Sequence, residues 1–94
     1  MSEKPEDFYK RLKEQLEEQG NWPGPYLYKF ITPADSKALA IIEEHFDGTD
    51  AKIETRHSST GKFTSISIRV TMKNPQEVID KYIAVSTIEG LISL

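Results

Sequence analysis

Two short segments, Thr32-Pro33-Ala34-Asp35 and Asn74-Pro75-Gln76-Glu77, carry the same local instruction: each closes a β-rich run and opens an amphipathic one. Thr32 and Asn74 can accept hydrogen bonds from the free N–H groups of a helix's first turn. Pro33 and Pro75 follow at the position where a missing N–H does no harm and φ is already helical. Asp35 and Glu77 stand three residues after the cap, where a carboxylate reaches back and favours the positive end of the helix. With a strand-like run before and after each signal, the chain is expected to fold as two strand–helix–strand halves.

Periodicity fills in the elements between these signals. Glu6 to Gln19 reads as a surface helix, with Phe8, Leu12 and Leu16 spaced by four, Tyr9 beside them and Gly20 as its stop. Asn21-Trp22-Pro23-Gly24-Pro25 reads as a linker pinned by Trp22. Tyr26 to Ile31 is the first strand. A helix from Pro33 to about Phe46 follows, with Leu39, Ile42 and Phe46 inward and Ala38 and Ile41 at its margin. Ala51 to His57 and Phe63 to Met72 are strands joined by the polar hairpin loop Ser58-Ser59-Thr60-Gly61-Lys62. The second of these alternates cleanly, with Ile66, Ile68, Val70 and Met72 on one face and Ser65, Ser67, Arg69 and Thr71 on the other. Pro75 to about Val85 is the next helix, and Leu91 to Leu94 a short last strand.

A helix followed by the order βαββαβ, with short loops and right-handed crossovers, predicts an α+β, ferredoxin-like plait. That is a four-stranded antiparallel sheet with two helices on one face, preceded by an extra N-terminal helix. Residues 1–25 are expected to form an arm and linker, and residues 26–94 the plait itself.

Several functions are disfavoured on composition. Ninety-four residues make one core with no room for a deep catalytic cavity. The absence of Cys removes disulfides, thiolate metal sites and a thiol nucleophile. The two histidines, His45 and His57, lack ligand spacing, so no metal and no cofactor are expected. A net charge of −3 weighs against a general nucleic-acid binder, and the segment Gly61-Lys62-Phe63 lacks the stacking aromatics of an RNA-recognition strand. An acylphosphatase reading fails as well, because Thr32-Pro33-Ala34-Asp35 is neither glycine-rich nor arginine-bearing. No nucleophile, base and orienter can be assembled, so the chain is not expected to be an enzyme. The charged N-terminus predicts no signal peptide, and no run reaches the roughly 20 apolar residues of a membrane span. The expected location is cytoplasmic.

The open sheet face is where a site is expected. Lys29 is the odd residue in an apolar strand, and the topology places it beside Ser65, Ser67 and Arg69, with Arg56 or Lys52 on the adjoining edge strand. Cations beside paired hydroxyls suit a carboxylate or phosphate through charge-assisted hydrogen bonds. The competing readings are a solvated face partly neutralised by Glu54, or a face covered by the N-terminal helix or another subunit. Phe8, Leu12, Leu16 and Trp22 form the expected docking or self-association surface.

Trp22-Pro23-Gly24-Pro25-Tyr26-Leu27-Tyr28-Lys29-Phe30-Ile31, the stretch from Ser58 to Ser67 and the ending Ile88-Glu89-Gly90-Leu91-Ile92-Ser93-Leu94 resemble the YbeD-like family of small bacterial proteins. The resemblance runs from about Trp22 to the end of the chain. It implies a plait similar to the ACT regulatory domains, which bind small ligands, often amino acids, at subunit interfaces, and it implies no activity. The turn Ala34-Asp35-Ser36-Lys37 lacks the glycine of the ACT ligand loop. The chain is therefore expected to be a non-catalytic regulatory or interaction module with a protein partner or a second copy of itself. The alternative is an ACT-like sensor of a small anionic metabolite such as an amino or organic acid.

Overall fold

The pairing of two ten-residue strands organises the molecule, whose computed structural model describes residues 4–34 and 37–94. These strands are β1 (Gly24–Pro33) and β3 (Phe63–Met72), antiparallel along their whole length with Tyr28 opposite Ile68 and Phe30 opposite Ile66. On β3 the period-two alternation appears as expected, with Thr64, Ile66, Ile68, Val70 and Met72 buried. β2 (Lys52–His57) pairs with β3, and β4 (Ile92–Ser93) with β1, so the strand order is β2-β3-β1-β4. Three helices complete an α+β structure: α1 (Pro5–Gln19), α2 (Ala38–His45) and α3 (Pro75–Val85). All three feed one core on the same side of the sheet, built from Leu16, Ile42, Val78, Ile79, Tyr82 and Val85 against Tyr28, Phe30, Ile66 and Ile68. The opposite face carries no helix among the described residues.

The second start signal works as its chemistry requires. Asn74 is extended (φ −165°), its Oδ1 accepts the Glu77 N–H at 2.9 Å, and Pro75 opens α3. Asn74→Ala is therefore expected to cost about 1 kcal/mol of stability. Urea unfolding followed by circular dichroism checks this, and an unchanged midpoint would show that the cap contributes nothing.

The first signal does something else. Thr32 is 2% exposed on the core face, in step with Tyr28 and Phe30, and Pro33 remains paired with Phe63. The Ala34 N–H donates to the Lys62 carbonyl at 2.9 Å and prolongs the ladder. The helix expected from Pro33 thus starts at Ala38, after Lys37, whose own side chain makes no capping hydrogen bond. Asp35, assigned to the capping turn, lies outside the described residues, as does Ser36. The cause is parity. Alternate residues of an antiparallel strand turn both backbone groups to the same neighbour. Lys29 accepts from the Leu94 N–H on the β4 side, so Pro33 faces that side too, beyond the end of β4, where a missing N–H breaks no ladder bond. Ala38, placed at the helix margin, is 1% exposed, whereas Leu39 is half-buried.

The N-terminal arm also differs from its expected role. Leu16 is 4% exposed in the core, Leu12 and Trp22 pack against it, and the Trp22 indole N–H donates to the Leu16 carbonyl at 2.8 Å. A narrow apolar stripe was enough to join the core of its own chain, because α1 packs against α3. Leu16 is therefore unavailable for docking, and Leu12 and Trp22 are largely committed. Phe8 alone of the four is well exposed, at 41%. The expected boundary at residue 25 falls inside β1.

An aromatic cluster fills the centre. The Tyr28 ring lies 4.8 Å from Tyr26, 4.9 Å from Tyr82 and 5.4 Å from Phe46, each edge-on, and 5.9 Å from the near-parallel ring of Phe30. The Tyr28 hydroxyl donates to the Val78 carbonyl at 3.0 Å, and the Tyr26 and Tyr82 hydroxyls bond each other at 2.8 Å. Burial pushes the Tyr28 hydroxyl well above the ordinary tyrosine range, helped by the neighbouring tyrosines. Burial also raises Tyr82, and the bond to Tyr26 adds to the effect.

Candidate functional site

Because side chains alternate across a strand, the residues absent from the core define the open face. Register arranges them in rows. Arg56, Ser65, Ile31 and Ile92 lie side by side across the four strands. In the next row Glu54, Ser67 and Lys29 follow, and then Lys52, Arg69 and Leu27. The β2 and β3 half of the face is thus polar and mostly cationic. The β1 and β4 half is apolar except for Lys29, with Leu27 41% and Ile92 53% exposed.

Phe63, 47% exposed, shares this face at the end of β3 where β1 finishes in Pro33.

The structure brings together most of the residues expected at a site, with one rearrangement. Ser67 and Arg69 join Lys52, Glu54 and Leu27 around a depression of about 170 Å³. Ser65, Ser67 and Arg56 line a second, wider one of about 560 Å³ with Glu54 and Thr55. Lys29 lines neither of these. It stands across Ser67 from Glu54, within the apolar half. Lys52, rather than Lys29, is therefore the second cation beside Arg69. Glu54 belongs to both depressions, so a carboxylate sits in the middle of the cationic group. Ser65 spends its hydroxyl proton on the Arg56 carbonyl at 3.3 Å.

The apolar half was missed in the sequence, although a signal for it exists. Leu27 and Ile31 share the parity of Lys29, and Ile92 is opposite Ile31. The run Tyr26 to Ile31 looks uniformly buried only if its alternation is ignored.

The margins of the face are structural. The loop after β2 is a hairpin tip: the Ser58 N–H donates to the Phe63 carbonyl at 2.8 Å, and Ser58 Oγ accepts the Phe63 N–H at 3.1 Å. Gly61 takes the positive φ of 72° that the turn needs. At the other end Asp50 grips β3, accepting the Thr71 N–H at 2.9 Å and its hydroxyl at 2.6 Å. Those two bonds, the hydroxyl's first, hold the Asp50 carboxyl below its ordinary range. His57 Nδ1 bonds the Thr64 hydroxyl at 3.0 Å. Among the described residues no three His, Asp or Glu side chains are placed to hold a metal ion, and no helix is long and apolar enough to cross a membrane.

Comparison with known proteins agrees with the sequence resemblance. The family model described as "Protein of unknown function (DUF493)" matches residues 17–93. A UPF0250 protein of Shewanella woodyi is 30% identical over 84 residues, covering 85% of this chain and 94% of the relative. UPF0250 proteins of Shewanella sediminis and Shewanella baltica are each 29% identical over the same length and shares. No solved structure matches the chain.

Proposed function

Because this chain belongs to the DUF493 family, the YbeD-like family its sequence resembles, we propose that it is a non-catalytic, ACT-like plait of the ferredoxin type acting as an interaction module through its open sheet face. The observation that carries this reading is the division of that face. The β1 and β4 half exposes Leu27 and Ile92 beside half-buried Ile31, the β2 and β3 half exposes Arg56, Lys52 and Arg69, and Phe63 adds an apolar ring at the end of β3. Large apolar side chains gathered on one face and rimmed by charge are the usual mark of a docking surface. The arm contributes little beyond Phe8, since its other apolar residues serve the core.

The lack of Cys makes the test direct. A Ser67→Cys variant carrying a thiol-linked photocrosslinker is expected to give discrete adducts in extracts of the source cell. A Glu43→Cys variant on the exposed side of α2 is expected to give none. Equal labelling from both positions would sink the proposal. A second reading, a sensor of a small anionic metabolite, draws on the pairing of Arg69 and Lys52 with the Ser67 hydroxyl. An organic or amino acid that raises the melting temperature, with the rise lost in Arg69→Ala, would favour the sensor by linkage.

A further inference from the structure

We infer that the occupant of the open face is an acidic amphipathic helix of a partner protein, lying along β1. The inference rests on the reading of this face as a docking surface and goes on to specify what docks.

Shape is the first argument. The apolar half is the strip of β1, widened to two strands where the two-residue β4 sets Ile92 beside Ile31, so it is no broader than the roughly 10 Å of one helix. From Leu27 to Pro33 it runs about 20 Å, the length of roughly 13 helical residues. An extended segment laid on the same surface would meet side chains, not backbone, and its own N–H and C=O groups would lose water without gaining partners. A helix satisfies those groups internally.

Charge is the second. Among the described residues the open face holds four cations, Lys29, Lys52, Arg56 and Arg69, against the single side-chain carboxylate of Glu54, in a chain whose net charge is −3. Positive charge is thus concentrated on this one surface of an acidic protein, which favours and steers an acidic partner. Lys29 sharpens the specification. Standing inside the apolar half, it is desolvated by any occupant and needs a carboxylate from the occupant's apolar margin. Arg69 and Arg56 meet the acidic flank.

A second copy with its sheet centred on this one fits poorly: a two-fold axis along the strands sets each apolar half on the other's charged half, and an axis across the strands sets cations on cations.

The test is a display selection on the full chain, using a library that mixes helix-forming scaffolds with proline-punctuated extended ones, with their charged positions randomised. Helical peptides with an apolar stripe and a glutamate- or aspartate-rich flank are expected to be enriched. Their affinity is expected to fall more than about tenfold in Lys29→Glu and in Arg69→Glu, both on a solvent-exposed face whose substitution leaves the core intact. Enrichment of extended or basic peptides overturns the inference, as does enrichment insensitive to both substitutions, or no enrichment at all. If crosslinking from position 67 still gives adducts in that event, the interaction module stands and only the helix falls.

Discussion

Phe30→Ala is expected to lower the unfolding free energy by about 3–5 kcal/mol. Phe30 is 1% exposed at the middle of β1, stacked on Tyr28 and edge-on to Tyr82 at 6.1 Å. It lies opposite Ile66 of β3 on one side and Ser93 of β4 on the other. The surrounding rings are themselves held by hydrogen bonds to α3 and to each other, so they cannot collapse into the space left behind, and the cavity adds to the lost transfer energy. A domain of this length has only about 5–14 kcal/mol in total. A large fraction of the variant should therefore be lost to unfolding near physiological temperature. Phe63→Ala, which removes the same ring from a site 47% exposed, is expected to change stability by about 0.5 kcal/mol or less. Urea midpoints of the two variants read the contrast, and similar losses in both would contradict the packing described.

Alkaline unfolding is the second large effect. Tyr28 and Tyr82 both hold their hydroxyl protons more tightly folded than unfolded, where the ordinary value is 10.0. Below that value both states are protonated and the contribution is complete. Above it the unfolded chain loses two protons that the folded chain keeps, so stability falls as pH rises. Two groups together give a slope of about 2.7 kcal/mol per pH unit once the unfolded tyrosines have titrated. Denaturant unfolding at a series of pH values above 10 should show this decline. Tyrosinate absorbance from these two residues should appear together with the loss of far-ultraviolet ellipticity, not before it. A Tyr28→Phe variant should halve the slope. Stability independent of pH in this range would mean that water reaches the aromatic cluster.

What the sequence disclosed depends on whether a signal was local or a matter of pairing. β3 was legible end to end because alternation of Ile, Val and Met with Ser, Arg and Thr leaves one register with a buried face. The Asn74 cap was legible because all its partners lie within four residues. Thr32 and Pro33 present the same local chemistry, yet ten pairs with β3 hold them in the sheet, and pairing partners thirty residues away leave no trace in a short motif. The same limit hid the place of Leu16. A stripe spaced by four says that a helix buries one side, not whether it does so on its own chain. At the candidate site, Ser67, Arg69 and Arg56 were named because polar residues on a regular strand attract notice. Leu27 and Ile31 were overlooked since apolar residues in a strand are assumed to be core.

The close of the sheet is governed by a contact between two residues far apart in the chain. Gly90, at a φ of 79°, lies so near the Pro33 ring that an added Cβ would come within 3.1 Å of it. A side chain there needs the Pro33 ring to give by a few tenths of an ångström, at the end of β1 and beside the turn that delivers β4. A smaller residue at 33 therefore relieves the crowding of a side chain at 90 but not the strain of its left-handed backbone. Substitution of Gly90 alone thus offers a way to loosen the apolar edge of the face without touching any residue on it.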